Sequence, residues 1–164
     1  MKTGKRRKGS GVFLLLAVML FALSLNAQAA TKAKAGVYKK TYSVSGSFAN
    51  ARIKPADALI VTKVSGKKIT FVLEHYGVNG SPLYQTNTIT ASVRKNKVSK
   101  FKWEDNWGNS GVGSLKFSNK SVKITMKTKK QSSINRWLWG GTDTLRYQRK
   151  ATAKEKKYYS RLNY

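Results

Sequence analysis

Between Ala35 and Tyr147 apolar and polar side chains alternate over short runs, and Gly, Asn and Ser break those runs. A period of two sends successive side chains to opposite faces of a strand, and hardly any stretch here repeats at the 3.6 residues of a helix. Such a chain hides its apolar side chains as a β-sheet that curls or stacks on itself. Tyr38, Tyr42 and Val44 mark a first strand, and Gly46 to Pro55 reads as a loop. Leu59 and Val61 alternate, Val64 falls out of step, and Ser65-Gly66-Lys67 turns the chain into Ile69, Phe71 and Leu73. This predicts a hairpin with a bulge near Lys63. Tyr76 to Tyr84 reads as a loop, after which Ile89, Ala91 and Val93 alternate, and Lys95-Asn96-Lys97 reverses the chain into Phe101 and Trp103. Leu115 and Phe117, then Val122, Ile124 and Met126, then Leu145 and Tyr147 complete the set. About eight strands at this spacing predict an all-β fold: a single antiparallel β-barrel over residues 35–149, joined as a meander of hairpins. Lys and Thr on the opposite face place much of the charge on the outer wall.

No cysteine is present, so there is no disulfide partner and the core alone must hold the fold. The 164 residues suffice, since one domain of about this length buries close to two-thirds of its unfolded surface. Lys and Arg number 33 against six acids, a formal charge of +27. That balance attracts polyanions: teichoic acid, acidic glycan, anionic lipid and, non-specifically, nucleic acid. Lysines outnumber arginines 25 to 8; lysine is a hydrated point charge, whereas arginine suits bidentate recognition, so diffuse attraction is expected.

The first residues carry their own pattern. Lys2, Lys5, Arg6, Arg7 and Lys8 precede an apolar run from Val12 to Leu25, and Ala27-Gln28-Ala29 follows. A cationic start, a short apolar middle and small residues at the cut describe a secretory signal, here residues 1–29, cleaved before Ala30. The alternative is an uncleaved anchor, but the run is shorter than the about 20 residues that span a bilayer. The expected product is secreted and held near the cell wall by its charge. Residues 150–164, with Lys150, Lys154, Lys156, Lys157, Tyr158, Tyr159 and Tyr164, read as a basic aromatic tail, solvated or weakly helical, or as an arm that touches a charged surface.

Few side chains suggest chemistry. Glu104 and Asp105 are adjacent acids, but neighbours on a strand point to opposite sides, so loop capping is favoured over acid and base work. His75, the single histidine, continues the face of Ile69, Phe71 and Leu73 and is expected at the barrel mouth with a hydrogen bond. Gly108, Gly111 and Gly113 lack the Lys-Ser/Thr ending of a phosphate loop, so they are expected in a tight reversal and beside bulky aromatics. No catalytic residue, metal site or cofactor is assigned. Tryptophan near basic residues can stack on sugars or sit at a lipid interface, and arginine can pair with phosphate. The expected ligand-binding residues are therefore Trp107, Arg136, Trp137 and Trp139, with Lys150, Lys154, Lys156 and Lys157 in the tail.

The run Glu104-Asp105-Asn106-Trp107-Gly108-Asn109-Ser110-Gly111-Val112-Gly113-Ser114-Leu115-Lys116-Phe117, the Val122 to Met126 strand, the Trp137 loop and Gly140-Gly141-Thr142 resemble small exported β-barrel domains of Gram-positive bacteria. Their shape is lipocalin-like or lysozyme-inhibitor-like. The resemblance implies a compartment and a fold. It implies no inhibitor role, since no inhibitor motif is present and a cationic chain suits cationic lysozymes poorly. The expected function is that of a non-enzymatic protein bound electrostatically to anionic polymers or surfaces of the cell envelope. The alternatives are an adaptor for another exported protein and an enzyme acting on wall or glycan.

Overall fold

The structure, a computed structural model, describes residues 32–133 and 140–162. The expected signal segment and Arg136, Trp137 and Trp139 lie outside the described residues. Nine β segments follow one another: β1 (Gly36–Thr41), β2 (Ala56–Ser65), β3 (Lys68–Tyr76), β4 (Pro82–Gln85), β5 (Ile89–Ser92), β6 (Lys97–Glu104), β7 (Ser110–Phe117), β8 (Ser121–Lys130) and β9 (Gly140–Arg149). A helix, α1 (Ala153–Tyr159), ends the set.

The order across the sheet is β4-β3-β2-β1-β9-β8-β7-β6. Because β4 and β5 pair end to end with one edge of β3, the sheet is eight strands wide. All pairings are antiparallel, and the sheet is a near-meander curled into an open half-barrel. The expected closed meander is thus corrected. The first and last strands do join, β1 to β9, and the wall is interrupted between the consecutive β5 and β6. At one end of that interruption Thr86 bridges Asp105, and at the other Arg94 bridges Lys97. Between these ties β6 shifts register at Ser99 and Lys100, between Val98 and Phe101. A bulge adds twist and turns a strand edge away from its neighbour.

The local chemistry follows the sequence closely. Gly66 takes a φ of +55° at the β2–β3 turn, and the register of that hairpin slips between Val61 and Lys63, at the expected bulge. Lys95 and Asn96 have φ of 47° and 64°, the left-handed pair that a two-residue turn requires to match strand twist. One loop expectation fails, since Pro82–Gln85 forms β4. Proline is compatible with the first position of an edge strand, where no ladder donor is needed.

The concave side holds the core: Tyr38, Leu59, Phe71, Val98, Leu115, Phe117, Val122 and Leu145 are buried there with their neighbours. Tyr38 meets Phe117 and Tyr147 edge-on at 5.9 and 5.2 Å, and Phe71 meets Phe101 at 5.1 Å. Gly113 and Gly111 stand opposite Phe101 and Trp103. A Cβ on Gly113 would lie 2.3 Å from the Phe101 ring, so these glycines give the aromatics room, as expected.

A second cluster occupies the convex side of β1 to β3, where Val37, Ala58, Ile60, Val72, Ala151 and Tyr159 pack together. The convex face is therefore apolar in this part, contrary to the expectation of a Lys- and Thr-rich outer face on every strand. What covers it is α1. The expected solvated tail is corrected accordingly: Thr152 and Glu155 form a capping box, and Tyr159 is buried.

Candidate functional site

The wall built by β6, β7 and β8 departs from that covered part in its sequence. Along β8, Val122, Ile124 and Met126 point inward while Lys123, Thr125 and Lys127 are exposed. Register then lines up the charges. Lys97 on β6 lies opposite Lys116 on β7, and Lys116 lies opposite Lys123 on β8. Lys102 and Lys127 flank Val112 in the same way. On the next strands Arg146 stands between Ser121 and Lys39. Directly opposed residues on one face lie about 5 Å apart, and like charges so placed repel.

Apart from Glu104, the acids are engaged away from this wall. Asp105, fully buried, accepts from the Trp107 and Asn109 backbone N–H groups at 3.0 Å and from the Asn109 side chain, which is the loop-capping role expected of it. Glu74, 1% exposed, accepts from the Tyr76 hydroxyl and the Gln85 amide, and the Tyr159 hydroxyl joins them. Burial first, then the Glu74 carboxylate, raises Tyr76 and Tyr159 well above the usual phenol range, so both remain donors. Glu155 forms a two-pronged pair with Arg149 at 2.6 and 2.9 Å. That pair, together with the Thr152 cap, brings its carboxyl down to about 2 against the opposing effect of burial. The remaining exposed acid is Glu104, at the far end of β6.

Asp57 and Asp143 sit at the mouth of the half-barrel, with His75 as expected. His75 Nδ1 lies 2.6 Å from Asp57 Oδ1 across the β2–β3 register. The Tyr42 hydroxyl donates to Asp57 and lies 3.1 Å from Asp143 Oδ2, and Lys40 pairs with Asp143. Burial first, then Asp57 and Asp143, raises the Tyr42 phenol far above its ordinary value. Sequence reasoning missed Asp57 as the histidine's partner. The signal available was hairpin register, since Ser65-Gly66-Lys67 and the Lys63 bulge set Asp57 opposite His75. A cavity of about 30 Å³ beside Asp57 and Asp143 has room for one or two waters.

Trp107 is 40% exposed, and its indole N–H donates to the Leu83 carbonyl at 2.8 Å. Its loop turns at Gly108, φ +78°, where glycine adopts the left-handed conformation without strain. The Tyr84 ring lies 6.4 Å from Trp107 and 5.8 Å from His75, so an aromatic rim runs from the mouth to the loop. Leu83, whose carbonyl holds the Trp107 indole, is exposed beside it. Lys150, Lys154, Lys156 and Lys157 are exposed on and beside α1. The candidate site residues that are described are therefore accessible, but they do not converge in one pocket.

No protein-family model, curated protein or solved structure matches this chain. Of the resemblance to exported barrel domains, what stands is the shape, a curled antiparallel half-barrel of about eight strands, and no family is identified.

Proposed function

We propose that the protein is an exported, non-enzymatic binding protein that associates electrostatically with anionic polymers or surfaces of the cell envelope. The observation that carries this reading is the row Lys97–Lys116–Lys123 across three strands, in a chain whose acids are largely held in internal contacts. A wall of like charges costs folding stability, and a polyanion laid across it removes that cost. Lys150, Lys154, Lys156 and Lys157 extend the attraction around α1, while Trp107 offers a ring for stacking or for seating at a lipid interface. In this reading the half-barrel is a barrel opened at one seam, filled by its own side chains and used as a scaffold. Export and retention near the cell wall belong to the same proposal and rest on the first 29 residues.

Binding to heparin, teichoic acid and an oligonucleotide, titrated at two salt concentrations, tests it. Affinity should fall steeply with salt for all three, and the double variant Lys116→Ser/Lys123→Ser should flatten the salt slope by about two charges. Salt-insensitive binding, or none to any polyanion at low salt, would leave the charge without this role.

A further inference from the structure

Between β5 and β6 lies an opening of about 710 Å³, within the range of ligand sites. Its two walls are strand edges. In the β3–β5 ladder the Val93 N–H bonds the Lys67 carbonyl, which makes Ala91 and Ile89 the residues whose main-chain groups face β3. Thr90 and Ser92 then turn their N–H and C=O groups toward the opening, while the Thr88 N–H before them is already taken by the Leu162 carbonyl. On the other side the Asp105 N–H bonds Asn109, so by the same alternation Lys102 directs its main-chain groups away from β7 into the opening. Four cations, Arg94, Lys97, Lys100 and Lys102, line it, and no acid does.

We infer that this seam binds an acidic polypeptide segment in extended conformation, adding to the edge of β5 or β6 as a further strand. Two observations select the occupant. The edges offer both donors and acceptors at strand spacing, and a peptide main chain presents both in return, whereas a phosphate or sulfate polymer offers acceptors and leaves the C=O groups of Thr90, Ser92 and Lys102 unmatched. The four cations call for carboxylates on the side chains. Because the Thr86–Asp105 and Arg94–Lys97 ties close the ends, the opening fits a short segment of about five residues at 3.3 Å each. This site goes beyond the outer-wall reading: it borders that wall at Lys97 and Lys102 and differs from it in using main-chain pairing.

The test measures binding of a fluorescein-labelled Glu-Val-Glu-Val-Glu-Val peptide to the full chain by anisotropy. The comparison peptide has the same charge and is N-methylated at alternate residues, which deletes main-chain donors. The parent should bind about tenfold more tightly than the methylated form, the worth of two or so hydrogen bonds. Lys100→Ser/Lys102→Ser, both exposed positions, should weaken the parent about tenfold, and Lys116→Ser/Lys123→Ser less than threefold. Equal binding of both peptides, or equal loss from the two double variants, would overturn the inference. So would inorganic polyphosphate that displaces the peptide and binds more tightly in a manner lost with Lys100 and Lys102, since that assigns the seam to an anionic polymer. Heparin retention of the same variants reports the outer wall separately, so either reading can fail alone.

Discussion

The convex face of β1 to β3 and the convex face of β6 to β8 belong to one sheet and share one interior, yet they are built to opposite ends. The first is apolar, lies under α1 and carries a buried glutamate held by two tyrosines and a glutamine. The second alternates except at the β6 bulge and lines up Lys97, Lys116 and Lys123. Burial on both faces makes a strand a stability element, whereas burial on one face frees the other for charge. The difference shows that the charge is arranged and not merely abundant: it is sparse where the helix lands, with Lys39 over the Tyr76 ring, and stacked where no described element covers the sheet.

The shared interior should give the largest effects. Phe71→Ala on β3 and Phe117→Ala on β7 should each cost about 3–5 kcal/mol by urea unfolding; a much smaller loss for Phe117 would mean that the lysine wall is an appendage of the covered half. The two convex faces should then separate. Ile60→Ala, under α1, should cost about 2–5 kcal/mol, while Thr125→Ala, in the lysine wall, should stay within about 0.5 kcal/mol; equal costs would erase the distinction.

The helix itself gives a pH signature. Glu155 has its carboxyl lowered from an ordinary 4.5 to about 2 by Arg149 and the Thr152 cap. A depressed folded value contributes stability that is full above about 4.5 and is lost as pH falls toward 2. Helix protection in hydrogen exchange should weaken across that window, and Glu155→Gln should remove that part of the pH dependence; losing the cap should cost about 1 kcal/mol. The smallest effect has the opposite sign. Lys116→Ser/Lys123→Ser should raise stability by about 0.2–1 kcal/mol by relieving opposed charges while weakening polyanion binding. Lower stability together with unchanged binding would break the comparison at its charged end.

Much of this was legible residue by residue. The Lys63 bulge, the Lys95-Asn96 turn, the inward Phe71, Phe101 and Phe117, and the glycines beside Phe101 and Trp103 all follow from periodicity of two and from steric room. The covered face was also written in the chain, as Ala58-Leu59-Ile60-Val61 and Phe71-Val72-Leu73, runs without alternation that signal burial on both sides. Tyr159 carried less of a sign, because one apolar ring on a short helix is indistinguishable from an exposed one until its partner is known. Pro82 hid β4, since proline argues against a strand except at an edge.

The sequence by itself determined the β class, the hairpin turns, the inward set of side chains, the positive charge and the signal-like start, because each depends on neighbours within a few residues. Tertiary structure decided the pairing of β1 with β9, the opening between β5 and β6, the landing of α1 over Glu74, the partnership of Asp57 with His75 and the alignment of three lysines into one row. These rest on contacts between residues far apart in the chain. Register and curvature, summed over the whole sheet, set which strand edges meet and which stay open.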